Sequence, residues 1–349
     1  MMGSVLVVAV VVAAFGLLVV VHELGHFFAA RACGMRVERF SVGFGPVVLR
    51  RERHGTEWVI SAIPFGGYVR IAGMAPGDDV NPDDPTVYAN QAPWRRFAVI
   101  LAGPALNWLA AVGLAFAMIV SPVGFPEADS TPTVGELVDG GAAARGGLRP
   151  GDRIASADGK PLATWQELVA AVVANPGKPL ALEVERDGAT VRLTVTPDDA
   201  GGRGRLGVGP ARHLLHDGPA GALAASLRIT NQHAKDNVTG LAAMFSGRQK
   251  AELRGPVGIA QEMAKSAHAG LAPFLLMVWS ISVVLAIFNL LPIPALDGGR
   301  LVFLAYEIVA RRRVNQRVEN IVHTAGFVAL FGLILAVTVF GDLARLFHR

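Results

Sequence analysis

Cysteine is almost missing from this chain: among 349 residues, Cys33 is the sole thiol. That excludes an intramolecular disulfide framework and any metal centre built from paired thiolates. Charge is scarce as well. Only 17% of the residues are Asp, Glu, Lys or Arg, against about 25% in ordinary soluble domains, and the mean hydropathy is +0.43. Four runs carry no charge at all: Val5 to Val21, Phe97 to Val120, Leu271 to Leu296 and Thr324 to Phe340. Crossing a hydrocarbon core of about 30 Å takes roughly 20 apolar residues. Four membrane spans are therefore expected, and an ordinary soluble enzyme is excluded. No Lys or Arg precedes the first run, so it lacks the basic start of a cleaved signal peptide and reads as a retained helix.

The charges that do occur are unevenly placed. Arg31, Arg36, Arg39, Arg95 and Arg96 crowd the membrane ends between the first two runs, and Arg311, Arg312, Arg313 and Arg317 do so between the last two. Segment 121–270 balances sixteen basic against sixteen acidic residues. The positive-inside rule puts both Arg-rich loops in the cytoplasm, with the termini and 121–270 on the outer side. These loops account for the net charge of +4 and call for no nucleic-acid partner.

Against this apolar background, His22-Glu23-Leu24-Gly25-His26 stands out at the cytoplasmic end of the first run. On a helix, His22 and His26 are one turn apart and project from the same face, the spacing with which two neutral imidazoles hold a tetrahedral Zn²⁺. Glu23 is placed to act as a base on water at that ion. Ionisable residues cost roughly 2.5–3.5 kcal/mol at the centre of a span, and a shared metal is an economical partner for them. Cys33, seven residues past His26, is expected to be a buried structural thiol.

Further along, Ser41 to Ile63 reads as a β-hairpin turning through Arg51-Glu52-Arg53-His54-Gly55, with Pro64 to Val69 as a further extended piece. Its edge, around residues 42–63, either serves strand addition by a substrate or only packs on the helix ends. Met74 to Gln91 is an acidic, Pro- and Asp-rich loop. The second span carries Ala102-Gly103-Pro104 and Asn107; Gly and Pro there permit close packing or a local break, and Asn107 serves helix packing or faces the active site. Segment 132–197 alternates strand and helix patterns, with tight turns at Asp158-Gly159 and Asp187-Gly188. Residues 214–270 read as an amphipathic helical region on the outer membrane surface. The third span ends in Asn289 to Gly299, where Pro292, Pro294 and a Gly pair interrupt the helix beside Asp297. By topology Asp297 lies level with His26, and His22, His26 and Asp297 together make a three-ligand zinc set.

These pieces in this order resemble the site-2 proteases, intramembrane zinc metalloproteases of the bacterial regulator-of-sigma-E protease type. The resemblance is carried by His22 to His26, Gly43-Phe44-Gly45, Phe65-Gly66-Gly67-Tyr68-Val69, Ala102-Gly103-Pro104 with Asn107, Gly255-Pro256-Val257 and Asn289 to Gly299, and it runs over nearly the whole chain. Segment 132–197, with its Gly146 to Ile154 turn, resembles a PDZ domain, which binds extended chains and C-termini along a strand edge.

The resemblance implies a polytopic α-helical membrane protein with four transmembrane helices, a membrane-associated β-hairpin and an inserted α+β PDZ domain. Its expected segments are 1–33, 34–96, 97–120, 132–197, 214–270, 271–299 and 321–343. It implies Zn²⁺ held by His22, His26 and Asp297, Glu23 as catalytic base, and Asn289, Asn107, Gly43 and Gly45 in substrate handling. Single-span membrane proteins, such as anti-sigma factors or remnant signal peptides, would be the substrates, with a peptide or C-terminus at the PDZ domain. The setting is the lipid of a bacterial inner membrane. Two departures are visible. The family's best-known enterobacterial member carries two PDZ domains where this chain has room for one, and Val284 stands where relatives often have a second Asn. A membrane-bound scaffold and a metal transporter are the alternatives; zinc content together with cleavage in detergent separates all three.

Overall fold

The structure is a computed structural model, and it describes residues 4–75, 78, 81–247 and 255–343. The chain divides into two compact units, residues 1–121 with 217–349, and residues 122–216. The stretch 248–254, inside the expected 214–270 region, lies outside the described residues.

In the first unit, α1 (Ser4–Ala32) is followed by a long strand pair, β1 (Val37–Arg53) and β2 (Thr56–Ile71). Both strands are longer than the expected hairpin. His54 and Gly55 make the connection in left-handed conformation, at φ 51° and 71°, which suits a two-residue turn. Register shifts let β2 wrap β1, so that Phe40 lies opposite both Trp58 and Val69. Residues 67–71 therefore form an edge. Phe27 packs edge-on against Phe40 and Trp58, fastening the pair to the end of α1; Cys33, expected to be buried, is a half-buried free thiol packed against this cluster.

Next comes α2 (Pro93–Val120), started by proline at its first turn, where the missing N–H costs nothing. Pro104 does not break it, so of the two expectations for Ala102-Gly103-Pro104, close packing holds.

The second unit begins with β3 (Phe125–Ala128), β4 (Val134–Leu137), α3 (Ala142–Arg145), β5 (Arg153–Ala157) and β6 (Lys160–Pro161). It continues through α4 (Trp165–Val173), β7 (Leu180–Arg186), β8 (Ala189–Val195), β9 (Asp198–Asp199), β10 (Gly204–Arg205), β11 (Val208–Pro210) and β12 (Arg212–Leu215). The central sheet has order β6-β5-β7-β8. Its turns are the expected ones, Asp158-Gly159 and Asp187-Gly188, again left-handed. A reciprocal capping box between Thr164 and Glu167 starts α4, whose Leu168 and Val172 pack into a core with Ile154, Leu180, Leu182 and Val195. The unit extends past 132–197 at both ends, because β4 pairs with β11 and β3 with β12. Phe125 lies opposite Leu215, so the chain enters and leaves side by side.

Five helices complete the described part of the first unit: α5 (Pro219–Phe245), α6 (Pro256–Ala269), α7 (Leu271–Leu290), α8 (Asp297–Ala310) and α9 (Gln316–Ala336), the last ending in a π-helical turn over Val337–Leu343. Helix α8 replaces an expected loop. Leu301, Leu304, Ile308 and their neighbours recur at helical spacing, but the adjacent Arg311-Arg312-Arg313 draws the eye to the loop. Among the described residues, four helical stretches are long and apolar enough to cross a membrane: Val5–Ala32, Pro93–Val120, Leu271–Leu290 and Arg317–Asp342.

Within the second unit, Asp152 is buried and receives a two-pronged bond from Arg186, at 2.8 and 2.7 Å, and the Arg149 N–H at 2.7 Å. Burial alone pushes its carboxyl up, but these donors hold it below the usual carboxylate range. The unfolded unit then binds more protons in acid. The pair's contribution is complete above the ordinary carboxylate pKa of about 4 and is lost as pH falls through the depressed folded value. Arg186→Met strands the carboxylate and should destabilise the unit. Amides of β5 and β7 in the intact protein should then exchange faster at neutral pH; unchanged protection would assign the pair no structural weight.

Candidate metal centre

Helix α1 carries His22 and His26 on one face, as their spacing requires. Their Nε2 atoms lie 3.1 Å apart, and Asp297 Oδ2 lies 3.0 Å from the first and 3.3 Å from the second. Both histidines are buried. These three are the one group of potential ligands that converges among the described residues.

Proton bookkeeping shows what the cluster lacks. His26 Nδ1 donates to the Val99 carbonyl at 2.8 Å, so in the neutral ring Nε2 carries a lone pair. The Asn107 side-chain amide sits 3.3 Å from His22 Nδ1, while its Oδ1 is buried with no partner. Turning that amide over lets Oδ1 accept from Nδ1–H, which satisfies both groups and frees His22 Nε2 as well. Asp297 Oδ2 is likewise buried without a donor. Three lone pairs thus face one another with no proton between them, and a cation is the missing partner. Ligand atoms about 2.0–2.1 Å from a tetrahedral Zn²⁺ lie about 3.3 Å from each other, close to the separations observed. The residues fit the ion.

The neighbouring elements hold this arrangement by close approach. Val99, Gly103 and Asn107 recur every four residues on α2 and supply a carbonyl, a gap and an amide to the two histidines. A Cβ on Gly103 would fall 2.3 Å from His26 Nε2, and one on Gly25 would fall 2.2 Å from the Ala102 carbonyl oxygen. Small residues let the two backbones cross where the ligands are. Ser282 of α7 donates to the Asn107 carbonyl at 2.8 Å, tying the third span to the same level.

Glu23 lines the same cavity, of about 370 Å³, as these three side chains. Its Oε2 accepts the Val69 N–H at 3.0 Å, so the edge segment 67–71, and not residues 42–63, stands beside this carboxylate. Asn107 and Asn289 also line the cavity; Asn289 donates to its own helix at Leu285 O, 3.1 Å away. Gly43 and Gly45 do not line it. They occupy left-handed positions, at φ 87° and 85°, where β1 shifts register, and a Cβ on Gly43 would meet the Ile63 carbonyl oxygen at 2.6 Å. The sequence did not reveal Val99 and Val69, which act through main-chain groups that any residue carries. Gly103 was visible only as a small residue beside a proline.

Two buried histidines and a half-buried aspartate converging beside a glutamate, at the junction of apolar helices, are a donor set of the kind metallopeptidases use. Residues 10–333 match the model of peptidase family M50, the site-2 protease family, and the chain belongs to it. Among its relatives, it is 32% identical to the regulator of sigma-E protease RseP of Salmonella typhimurium, over 97% of this chain and 98% of that one. It is 30% identical to its Escherichia coli counterpart (96% and 98% covered), and 31% identical to the zinc metalloprotease RasP of Geobacillus kaustophilus (95% and 96% covered). The chain is accordingly a zinc-dependent protease.

Two substitutions test the centre. Asp297→Ala should lower bound zinc, since it removes one of three ligands. Gly103→Ala should do the same without touching a ligand, by pushing His26 aside. Stoichiometric, tightly held zinc in both purified variants, measured by elemental analysis, would remove Asp297 from the ligand set and the α1–α2 crossing from its support.

Proposed function

We propose that this protein is an intramembrane zinc endopeptidase that cleaves single-span membrane proteins within or next to the bilayer. Anti-sigma factors and remnant signal peptides are the substrate types, and the setting is the bacterial inner membrane. The observation that carries this is the convergence of His22, His26 and Asp297 with Glu23 in one cavity among apolar helices.

When bound, zinc supplies a nucleophile at neutral pH by acidifying water, and polarises the scissile carbonyl. The rest falls to the chain's own residues. One Glu23 oxygen is held by the Val69 N–H, which aims the other into the cavity as a proton acceptor; the proton then passes to the leaving amine. Asn107 fixes the His22 ring, and the Val99 carbonyl fixes that of His26. A substrate helix must be opened before attack, because its carbonyls are engaged in hydrogen bonds. Strand addition at the 67–71 edge, next to Glu23, would hold the opened segment extended. Asn289 at the cavity wall would bond that segment, and Gly43 and Gly45 would act indirectly, by shaping β1 behind the edge.

The second unit fits the role of a PDZ-like filter. A cavity of about 390 Å³ lies between α4, with Trp165, Leu168 and Val172, and the glycine-rich stretch 204–209. Its apolar helix face and adjoining strand suit a peptide or a newly made C-terminus.

Glu23→Gln should retain zinc and lose cleavage of a single-span substrate by about a thousandfold, since the ligands remain and the base does not. Equal activity would remove Glu23 from its role. If the second unit only filters, replacing residues 122–216 by a short linker is geometrically simple, since β3 and β12 bring its ends together. That deletion should leave cleavage of an already trimmed substrate nearly unchanged and admit untrimmed ones. Loss of both activities in a folded, zinc-loaded protein would instead make the unit part of substrate positioning.

A further inference from the structure

The segment 291–296, which joins α7 to α8 and delivers Asp297, cannot satisfy its own backbone. Leu291 N–H donates to Phe288 O, Ile293 N–H to Leu291 O at 2.7 Å, and Leu296 N–H to Ile293 O. Pro292 and Pro294 have no N–H to place. One donor is left, at Ala295, and it goes to a side chain on another helix: His323 Nδ1 of α9, 3.2 Å away. Ala295 itself sits at φ 81°, a left-handed conformation that a residue with a Cβ holds only under outside constraint.

The constraint is visible on α9. Gly326 lies one turn beyond His323 and against the same segment; a Cβ there would fall 2.3 Å from Pro294 Cβ and 2.8 Å from its carbonyl oxygen. From the other side, Gly298 and Gly299 press on the backbone of Leu291 and Ile293, with hypothetical Cβ contacts of 2.1 and 2.6 Å. The segment is thus clasped between the first turn of α8 and one face of α9. His323 Nε2 is buried with no partner among the described residues, so the bond to Ala295 is the ring's polar function there.

We infer that His323 is a positioning residue for the metal centre: by accepting the Ala295 N–H, two residues before Asp297, it sets where the third ligand stands relative to His22 and His26. Gly326 makes room for that contact. The inference rests on the assignment of Asp297 as a ligand and concerns what holds it. The acceptor is the feature that matters, so Asn, whose Oδ1 occupies the place of Nδ1, should substitute for His, and an apolar side chain of similar bulk should not.

The test is metal binding by the full-length protein in detergent. Zinc affinity is measured by chelator competition, and coordination geometry by the visible absorption of the Co²⁺ form. His323→Leu should weaken zinc binding roughly 10–100-fold, the usual effect of removing a group that orients a ligand, and should alter the Co²⁺ spectrum. His323→Asn should stay within about threefold of the parent and keep its spectrum. Gly326→Ala should resemble His323→Leu, and it serves as the second variant if His323→Leu does not fold. Parent-like affinity and spectrum in His323→Leu, or in Gly326→Ala where only that variant folds, would overturn the inference. So would an Asn variant as weak as the Leu one. Failure of the parent to bind zinc would overturn the metal centre itself, a different result.

Discussion

Two imidazole nitrogens and a carboxylate oxygen, held 3.0–3.3 Å apart with no proton among them, are the constraint on which the rest of the first unit depends. Without a cation they repel, and the buried setting offers little water to soften the repulsion. With one, the same geometry becomes a binding site whose free energy is also folding free energy. That explains why glycines cluster where they do. Gly25 and Gly103 bring α1 and α2 to a distance that no Cβ permits, while Gly298 and Gly299 do the same for the segment ahead of Asp297. Each close approach lies at the level of the ligands. These close approaches are made where the facing lone pairs would otherwise push the elements apart.

Glu23 and the edge segment are linked through one hydrogen bond. Val69 N–H belongs to the outer side of 67–71, and it engages Glu23 one residue along the helix from His22. The 67–71 stretch thus has two neighbours of different kinds: β1 on one side, by regular pairing, and a carboxylate on the other. An extended chain added along that outer side would run beside Glu23, the proposed base. The repeated register shifts in β1 and β2 have a use on this view. A flat two-stranded hairpin would have presented 42–63 as its edge, whereas the wrapped one presents 67–71.

Much of the centre was legible because its letters obey a period. His22 and His26 fall one helical turn apart, and Asp297 follows two prolines at the depth where a span ends, so its partnership could be argued from topology. What was not legible lay in main-chain groups and in pairing between distant segments. Val99 and Val69 contribute a carbonyl and an N–H, which no residue type announces. The strands β11 and β12 close the second unit by pairing with β4 and β3, from which they are separated by the whole α/β core. Nothing local in Val208 to Leu215 marks those partners. Helix α8 was hidden for a different reason: the charges that follow it are a stronger signal than its own periodicity. For Gly43 and Gly45, resemblance pointed to the substrate, while the structure puts them in the bends of β1.

Helix α9 makes sense only in terms of backbone polarity. Its membrane-length stretch, Arg317–Asp342, has none of its most apolar window buried among the described residues, which leaves the close contact at Gly326 and its polar contacts to tie it to its neighbours. Its polar contacts are specific. Near one end His323 takes the N–H that the 291–296 segment cannot place; at the other, Asp342 accepts the N–H groups of Gly255 and Gly258 at 3.0 and 2.8 Å, capping the start of α6. Both are positions where helical bonding stops among apolar segments, and irregular backbone is tolerated there only if protein supplies the partner. His323 and Asp342 meet that requirement, one near each end of the stretch. The broken backbone before Asp297 can persist at membrane depth because the neighbouring helix completes it.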